Sequence, residues 1–393
     1  MRTILHLDLD AFFCAVEEIH DPGLCGKPFA VGGRPNERGV VASCSYAARA
    51  QGVRSAMPMS QALRLCPGLR IVPARHELYS EHSRQVMQRL ANISPLVEQI
   101  SIDEAFLDIS DIREPARPLA QGLQTQIWEE TRLPCSIGIA SNKLVAKIAT
   151  ETGKAAARGA DYPRAITVIE AGREAEFLAP LPASMLWGVG KKTAARLESL
   201  GVHTIGDLAR YPERELVALF GQPGRDLLKH ARGLDERPVT PEHETKSISQ
   251  ETTFIRDVSD DKALETSLKK LAAEVGHNLR RENLAAKTIR VKLRWPDFTT
   301  LTRQTTLPAP TDQTADIETL ALALFRQARV SGQAVRLLGV GVSSLGPAIH
   351  QMELWGQASE KQRKLQSALD ALQQKYGKDI IAKGPLPDEP AKE

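Results

Sequence analysis

The chain of 393 residues is poor in the features that define several protein classes. Its five cysteines stand apart, without a CxxC pair or a Cys/His cluster at zinc spacing, so neither a disulfide framework nor a structural zinc site is expected. No apolar run approaches the roughly 20 residues of a membrane helix, and the N-terminus has no signal-peptide segment. We therefore expect a cytoplasmic protein that has no membrane partner.

Neither hydrophobicity nor net charge is extreme. Hydrophobic residues make up 42% of the chain and charged residues 25%, which is typical of a globular protein rather than a disordered or fibrous one. The length predicts about two to four domains. A net charge of +3 does not by itself indicate a nucleic-acid partner.

The distribution of charge is more informative than its sum. Between Lys269 and Arg303 nine Lys or Arg residues stand against three acids, a local excess of six positive charges. Strand-type alternation there places Arg290, Lys292 and Arg294 on one face. Such a face can bind the phosphates of any sequence in a salt-dependent way, and the alternative is an ordinary solvated sheet face.

Acidic residues interrupt two apolar segments that are rich in strand-forming residues. Asp8 and Asp10 lie within the first, and the pair Asp103 and Glu104 lies within the second; neither segment has a Lys or Arg nearby. Ionised carboxylates in such surroundings must be paired, solvated or bound to metal. If the two segments were neighbouring strands, Asp8, Asp103 and Glu104 would come together in an oxygen-rich site for Mg²⁺. Such a site can hold the two ions of nucleotidyl or phosphoryl transfer.

Two alternatives to this acidic site stay open from the residues alone. The acids can be surface residues of edge strands, as most Asp and Glu are. Alternation also puts Asp8 and Asp10 on the same face, so their spacing does not choose between them.

Three long motifs carry a family resemblance: HLDLDAFFCAVEE (6–18), VVASCSYAARAQGVRSAMP (40–58) and SIDEAFLD (101–108). They resemble the Y-family DNA polymerases of the DNA polymerase IV (DinB) branch, and the likeness extends from residue 1 to about residue 376. The resemblance implies a template-directed DNA polymerase with two Mg²⁺ ions, for which Mn²⁺ can substitute. It also implies low-fidelity bypass of damaged templates, with primer-template DNA and dNTP as partners of a monomeric enzyme.

The expected fold class is an α+β, multidomain right-hand polymerase. The predicted domains are a ferredoxin-like palm (1–11 and 75–165), small fingers (12–74), a helical helix-hairpin-helix thumb (166–233), a linker (234–245), an α/β little finger (246–345) and a clamp-binding tail (346–393). Periodicity predicts helices at about 76–92, 117–131, 260–282, 313–329 and 359–376. Strands are predicted at 28–32, 40–44, 101–108, 135–140, 288–295 and 334–342.

The resemblance assigns the catalytic residues by position. Asp8, Asp103 and Glu104 match the metal-binding carboxylates, with the Leu9 backbone carbonyl as a further ligand. Phe13 stands at the steric-gate position that excludes a 2′-OH, and its neighbour Phe12, also matched to the nucleotide site, has the character of a core residue.

Three further residues are expected to contact the triphosphate: Tyr46, Arg49 and Lys154. Tyr46 and Arg49 are three apart and share a helix face; the alternative is a surface Arg stacked on a Tyr. Lys154 aligns with a family lysine, but the Lys-Pro-x-Gly turn that usually follows it is replaced here by Lys154-Ala-Ala-Ala-Arg158-Gly159. The loop after Lys154 is therefore altered.

Two more segments resemble binding motifs of the family. Gly188, Gly190 and Lys191 belong to a helix-hairpin-helix, whose glycines let the backbone approach a DNA phosphate. Gln351, Leu354 and Trp355 resemble the peptide that docks bacterial polymerases on the sliding clamp; the alternative is that Trp355 packs on the little finger. These motifs imply a nucleoid-associated enzyme of the bacterial cytoplasm.

Two competing functions remain. One is a catalytically inactive polymerase homologue that acts as a clamp-bound scaffold, which would be marked by loss of the carboxylates. The other is a two-metal nuclease, which explains the acids and the helix-hairpin-helix but not Phe13, Tyr46 and Arg49.

Overall fold

The computed structural model describes residues 2–157, 159, 161–242 and 244–348, together with Ala368 and Leu372. The chain forms two compact units, which divide after residue 243. None of the described helices is long and apolar enough to cross a lipid bilayer.

The strands of the first unit are, in chain order, β1 (Ile4–Leu9), β2 (Phe29–Gly32), β3 (Val41–Cys44), β4 (Arg70–Val72), β5 (Val97–Gln99), β6 (Glu104–Asp108), β7 (Cys135–Ala140) and β8 (Ile166–Val168). Its helices are α1 (Phe12–His20), α2 (Tyr46–Ala50), α3 (Met59–Leu65), α4 (His76–Ile93), α5 (Ala116–Thr131), α6 (Lys143–Ala156), α7 (Glu174–Leu178), α8 (Lys191–Glu198), α9 (Ile205–Arg210), α10 (Glu213–Phe220) and α11 (Gln222–Ala231).

The main sheet of the first unit has the order β5-β6-β1-β7-β8. The succession β1, α4, β5, β6, α5, β7 is the β-α-β-β-α-β arrangement of ferredoxin-like folds, so the predicted palm architecture is confirmed. Strand β8 pairs in parallel with β7 at the sheet edge. Residues 166–168, which the sequence assigned to the thumb, therefore belong to this sheet.

Alternation along β1 separates the two faces of the sheet. Leu5, Leu7 and Leu9 point into a core that also contains apolar residues of α4 and α5. Ile4 lies in a different core, with residues of α6. Because side chains alternate along a strand, His6 and Asp8 share the α6 side with Ile4. An apolar segment that carries polar residues at alternate positions thus becomes a strand with one apolar face and one face that holds the polar side chains.

Helix α6 lies unusually close to β7. Its N-terminus is capped by Asn142, whose side chain accepts a hydrogen bond from the Val145 amide at 3.0 Å. A Cβ at Gly138 of β7 would lie 2.1 Å from the Ala146 carbonyl oxygen and 2.6 Å from the Thr150 amide nitrogen. Only glycine therefore permits this contact, which brings the α6 side chains down onto the sheet.

Between β1 and α4 the chain forms a small subdomain around a second sheet, with the order β3-β2-β4. It has its own apolar core, which includes Val41, Met59 and Leu69. The segment from α7 to α11 consists of short helices joined by turns, as predicted. Helix α9 begins with a capping box between Thr204 and Asp207, which fixes its N-terminus.

The predicted linker 234–245 is corrected in its first half. Asp235 and Val239 are buried, and Asp235 accepts a hydrogen bond from the Leu144 amide at 3.1 Å. The Thr240 amide donates to Glu98 Oε2 at 2.9 Å, and Glu98 also forms a buried ion pair with Lys143. Residues 234–240 are therefore packed on the first unit rather than free.

The second unit contains β9 (Ser247–Val258), α12 (Asp261–Arg281), β10 (Leu284–Arg294), β11 (Thr300–Thr311), α13 (Thr314–Ala328) and β12 (Val335–Pro347). Its sheet has the order β11-β10-β12-β9 and is antiparallel throughout. Apolar residues of α12 and α13 share a core with Ile289, Val291 and Leu293 of β10. Both predicted helices and both predicted strands are confirmed, and β9 and β11 were not predicted.

Candidate active site

The predicted carboxylates meet where β1 and β6 lie side by side. Asp8 is the direct cross-strand partner of Glu104, so their side chains lie on the same face. The Leu9 amide donates to the Asp103 carbonyl at 2.9 Å, which ties the residue before Glu104 to the end of β1. The structure therefore brings Asp8, Asp103 and Glu104 to one place.

Asp103 lies in a turn, whereas the sequence placed it within a strand. Strand β6 begins at Glu104, and Ser101 organises the residues before it. The Ser101 hydroxyl donates to Asp103 Oδ1 at 2.5 Å and accepts from the amides of Asp103 and Glu104 at 3.3 and 3.1 Å. Burial raises the pKa of Asp103, the Ser101 hydrogen bond opposes this, and the charges of Asp8 and Glu104 add to the rise.

Helix α6 supplies two cations to the acids: Lys154, which was predicted to contact the triphosphate, and Lys147, which was not predicted. Lys147 Nζ lies 2.5 Å from Glu104 Oε2. Lys154 Nζ lies 2.6 Å from Asp8 Oδ1 and 3.2 Å from Asp10 Oδ1. The two lysines are seven residues apart, two helical turns, so they project from the same face. This seven-residue spacing is the feature of the sequence from which the position of Lys147 beside Lys154 could have been predicted.

The protonation states of these pairs follow from opposing effects. Burial disfavours ionisation of Glu104, but hydrogen bonds from His6 and Lys147 and the charge of Lys147 outweigh it and hold the pKa of Glu104 at about 2. Burial likewise disfavours the ammonium form of Lys154, yet the charges of Asp8 and Asp10 outweigh it and raise its pKa. At neutral pH Glu104 is therefore ionised and Lys154 is protonated.

Burial favours Asp8 over Asp10 as the metal-facing residue, a choice that the spacing left open. The Asp10 side chain is 0% exposed, and it accepts hydrogen bonds from Ser136 Oγ at 2.9 Å and from the Arg164 amide at 3.0 Å. The Asp8 side chain is 22% exposed. Asp10 thus connects β1 to β7 and to the loop before β8.

The donor set suits a hard divalent cation. Asp8, Asp103 and Glu104 offer carboxylate oxygens. Burial is the main reason why the pKa of Asp103 is raised, and the charges of Asp8 and Glu104 add to the rise; a divalent ion would favour the ionised form against both effects. Within the described ranges no three His, Cys, Asp or Glu side chains stand in a ready ligand arrangement. Lysine side chains contact two of the three carboxylates, Asp8 and Glu104, and the lysine ammonium groups neutralise part of the negative charge of the site.

The two adjacent phenylalanines have different environments. Phe12 is 2% exposed and belongs to the core, so its assignment as a nucleotide contact is wrong for the side chain. Phe13 is half-buried and stacks on Tyr79, with ring centroids 4.2 Å apart and planes at 15°. Ala11, with φ of 44°, makes the turn from β1 into α1 that sets this register. The steric-gate role of Phe13 stays a prediction.

Tyr46 and Arg49 lie together on α2. The Arg49 Cζ lies 4.7 Å from the Tyr46 ring centroid, and Arg49 Nε donates to the Cys44 carbonyl at 3.1 Å. This stack is the arrangement that the alternative interpretation described. The buried Tyr46 hydroxyl, however, has no hydrogen-bond partner among the described residues, and burial raises its pKa to about 12. A phosphate oxygen would satisfy this neutral donor.

The altered loop after Lys154 returns to the site through Tyr162, a residue that sequence reasoning missed. The Tyr162 and Tyr46 rings meet edge to face at 5.4 Å. The Tyr162 hydroxyl donates to Glu18 Oε2 at 2.8 Å. Lys154 itself belongs to α6, and the departure from the family pattern begins at Ala155, within the last turn of that helix.

The helix-hairpin-helix residues adopt backbone conformations that fit the motif. Gly188 has φ of 96°, which strongly favours glycine, and Gly190 precedes α8 at its N-cap position. No side chain in the described chain caps the α8 amides, which begin at Lys191. These amides can donate to a phosphate, and DNA contact remains a prediction.

The basic strand of the second unit has the predicted one-sided arrangement. Arg290, Lys292 and Arg294 alternate with the core residues of β10. Opposite Arg290 and Lys292 on β12 stand Gly341 and Gly339, which leave space beside the long cationic side chains. Lys292 Nζ reaches Glu251 Oε2 on β9 at 2.7 Å.

Gln351, Leu354 and Trp355, predicted to bind the sliding clamp, lie outside the described residues.

Solved structures of Y-family polymerases share this fold. A Y-family DNA polymerase chimera of Dbh and Dpo4 matches with a TM-score of 0.78 and 27% identity, over 87% of this chain and 98% of that one. An insertion ternary complex of Dbh DNA polymerase matches with a TM-score of 0.61 and 28% identity over the same shares. The fold is thus that of a Y-family DNA polymerase.

Sequence comparison narrows this class. Three family models match this chain. The impB/mucB/samB family matches residues 7–151, the C-terminal domain of that family matches residues 245–354, and the DNA polymerase-iota thumb domain matches residues 184–235. DNA polymerase IV of Dehalococcoides mccartyi is 40% identical over 98% of this chain and 97% of its own. DNA polymerase IV 1 of Bacillus subtilis is 39% identical over 98% of this chain and 92% of the Bacillus protein. The chain belongs to the DNA polymerase IV family.

Proposed function

We propose that this chain is a DNA-directed DNA polymerase that performs low-fidelity translesion synthesis during damage tolerance. It would add dNTPs to a primer 3′-OH under the direction of a template strand. The observation that carries the proposal is the convergence of Asp8, Asp103 and Glu104 on a ferredoxin-like sheet, in a chain 40% identical to a DNA polymerase IV along nearly its whole length. A neighbour captured as an insertion ternary complex supports DNA and dNTP as partners.

The metal ions would be held by Asp8, Asp103, Glu104 and the Leu9 carbonyl. When bound, two Mg²⁺ ions, or Mn²⁺ in their place, supply activation of the primer hydroxyl and neutralisation of the triphosphate charge. Lys154 and Lys147 must then leave the carboxylates they contact here. Lys154 is placed to turn its charge to the triphosphate instead.

The remaining residues orient the nucleotide. Arg49 and the Tyr46 hydroxyl would donate to phosphate oxygens, which are charge-assisted hydrogen bonds. The Phe13 ring is held flat against Tyr79, and a ring held in this way would exclude a ribose 2′-OH. The domain assignment as palm, fingers, thumb and little finger accompanies this proposal.

Contacts outside the site would hold the DNA and locate the enzyme. The α8 amides after Gly190 and the cations Arg290, Lys292 and Arg294 would bind phosphates without regard to sequence. The Gln351–Trp355 peptide would dock on a sliding clamp, a proposal that rests on its sequence. We place such an enzyme in the bacterial cytoplasm, at the nucleoid.

Primer extension separates this function from its competitors. The full chain is incubated with a 5′-labelled primer on undamaged and adducted templates, with dNTPs and Mg²⁺. A polymerase lengthens the primer on both templates, a nuclease shortens a labelled strand, and an inactive scaffold does neither. Template omission is the control for untemplated addition, and loss of extension without template is expected.

A further inference from the structure

A buried histidine lies directly behind Glu104, and the proposed mechanism does not use it. His6 of β1 is 0% exposed. Its Nε2 lies 3.2 Å from Glu104 Oε2, and its Nδ1 lies 2.9 Å from Thr150 Oγ1 on α6. The ring also packs against Phe106 with a centroid distance of 4.7 Å. His6 therefore links a predicted metal ligand to the helix that covers the site.

The direction of these hydrogen bonds follows from the groups involved. An ionised carboxylate can only accept, so His6 Nε2 carries the hydrogen and donates to Glu104. In the neutral imidazole, Nδ1 is then the acceptor, and the Thr150 hydroxyl is the donor that faces it. Thr150 Oγ1 also lies 3.1 Å from the Ala146 carbonyl oxygen and 3.3 Å from the His6 carbonyl oxygen, so its one hydrogen has other acceptors. When it donates to Nδ1, it supports the tautomer in which His6 holds Glu104.

Both hydrogen bonds that Glu104 receives from side chains go to the same oxygen. His6 and Lys147 each contact Oε2, and no described group donates to Oε1. The two donors differ in mobility: Lys147 sits at the end of a flexible side chain, whereas the His6 ring is enclosed between β1, Phe106 and α6. If Lys147 leaves, His6 remains as the group that holds Oε2, and Oε1 stays available to a cation.

The backbone is built to permit this contact. His6 is the cross-strand partner of Gly138 on β7, and a Cβ at Gly138 would lie 2.6 Å from Thr150 Oγ1. Any other residue at position 138 would push Thr150 off His6. Gly138 of β7 thus makes room for Thr150 of α6, which contacts His6 of β1, which in turn contacts Glu104 of β6.

We propose that His6 and Thr150 are positioning residues that hold the Glu104 carboxylate in the orientation needed to bind the divalent metal. Neither touches substrate or reacting atoms. The proposal rests on the proposed polymerase function for its consequence, but metal affinity is measurable without catalysis. Outer partners of metal ligands change metal affinity by roughly 10–100-fold when removed.

The test compares variants that keep the approximate shape of the side chain and remove or restore its hydrogen bonds. His6→Phe keeps a ring against Phe106 and loses both bonds, and His6→Gln restores a donor near the Nε2 position. Thr150→Val removes only the hydroxyl, and Thr150→Ser restores it. Mn²⁺ affinity is measured by electron paramagnetic resonance on the full chain, alone and with dNTP on a dideoxy-terminated primer-template.

We expect His6→Phe to weaken Mn²⁺ binding by about tenfold or more and to raise the Mg²⁺ concentration for half-maximal extension equally. Thr150→Val should show a smaller loss in the same direction, and His6→Gln and Thr150→Ser should recover most of it. DNA affinity should stay at the wild-type value. Thermal unfolding checks that each variant is folded, and if His6→Phe is not, the Thr150→Val and Thr150→Ser pair decides.

The positioning role would be overturned if folded His6→Phe bound Mn²⁺ within twofold of the wild-type affinity. If His6→Phe does not fold, the same result in Thr150→Val would overturn it. A failure of the polymerase proposal would give a different set of results. In that case the wild-type chain extends no primer, while the variants of His6 and Thr150 still lose Mn²⁺ affinity relative to it.

Discussion

Lys154 Nζ lies 2.6 Å from Oδ1 of Asp8, although 146 residues separate them in the chain. The same face of α6 carries Lys147 to Glu104 and Thr150 to His6. One helix face therefore contacts three positions of the acidic site. Its two lysines compensate the carboxylate charge. A divalent ion bound at the proposed site would compete with them, so its binding would be coupled to the release of the α6 side chains.

Substitution of Phe13 tests the nucleotide-selecting surface. Phe13→Ala should raise the ratio of rNTP to dNTP incorporation by orders of magnitude, because ring removal relieves a steric clash with the 2′-OH. The matched control is Tyr79→Phe, which keeps the stacked ring and loses only its hydroxyl contact with Glu17. Single-nucleotide incorporation kinetics give both ratios. An unchanged ratio in Phe13→Ala would place the gate elsewhere.

Replacement of Arg290, Lys292 and Arg294 by Ala tests the DNA-binding face of the second unit. Primer-template affinity should fall for every sequence, and the salt slope of log K should drop by about one for each lost phosphate contact. The control removes three exposed cations of α12, Lys269, Lys270 and Arg281, and should leave the slope nearly intact. Fluorescence anisotropy at several salt concentrations measures both.

Glu251 competes with DNA for Lys292 in this account, because the two side chains form an ion pair across β12. Glu251→Gln should therefore tighten DNA binding and steepen the salt slope in the same assay. A slope that the triple substitution leaves unaltered would mean that this face does not meet DNA.

The Gln351–Trp355 peptide is predicted to tether the enzyme to a sliding clamp. Burial of Leu354 and Trp355 in a partner groove is worth about 3–6 kcal/mol before ordering costs, enough for an exchangeable complex. Changing both to Ala should preserve distributive extension of a short primer and remove stimulation by a loaded clamp. Clamp stimulation that survives the double change would contradict the assignment.

The buried ion pair between Lys143 and Glu98 is predicted to stabilise the first unit. Its atoms lie 2.7 Å apart, and both side chains are 6% exposed. Lys143→Met removes the cation that neutralises this buried carboxylate and should lower the free energy of unfolding by about 3–5 kcal/mol. Replacing both residues, as Lys143→Met with Glu98→Leu, should cost less than the single change. Urea unfolding monitored by circular dichroism measures these differences, and a single change that costs under about 1 kcal/mol would contradict the prediction.

The acidic residues of the site were readable from the sequence because carboxylates inside apolar segments are conspicuous. The turn at Asp103 was not, because Ile100 and Ile102 favour a strand and the side chain of Ser101 bonds the local amides instead. His6 and Thr150 were also missed. Their meeting depends on how closely α6 approaches Gly138, which is a property of the tertiary packing rather than of any local pattern.

Short or irregular segments account for the other differences in the fold. Ile166–Val168 is a three-residue strand, too short for a periodic signal. Residues 234–240 have the Pro-rich, charged composition of a linker, yet Asp235 and Thr240 bind partners about 90 and 140 residues away in sequence. By contrast, long amphipathic helices such as α4 and α12 were predicted to within one or two residues, because their hydrophobic spacing repeats over several turns.

Single-turnover primer extension by Asp103→Ala is the most direct test of the assignment of Asp8, Asp103 and Glu104 as the catalytic site. We expect extension to be abolished while primer-template affinity stays nearly intact, because the phosphate contacts are proposed to come from the α8 amides and from Arg290, Lys292 and Arg294. Asp111→Ala, which removes an exposed acid from the loop after β6, is the control and should extend primers at the wild-type rate. Wild-type extension by folded Asp103→Ala would contradict the assignment of this site.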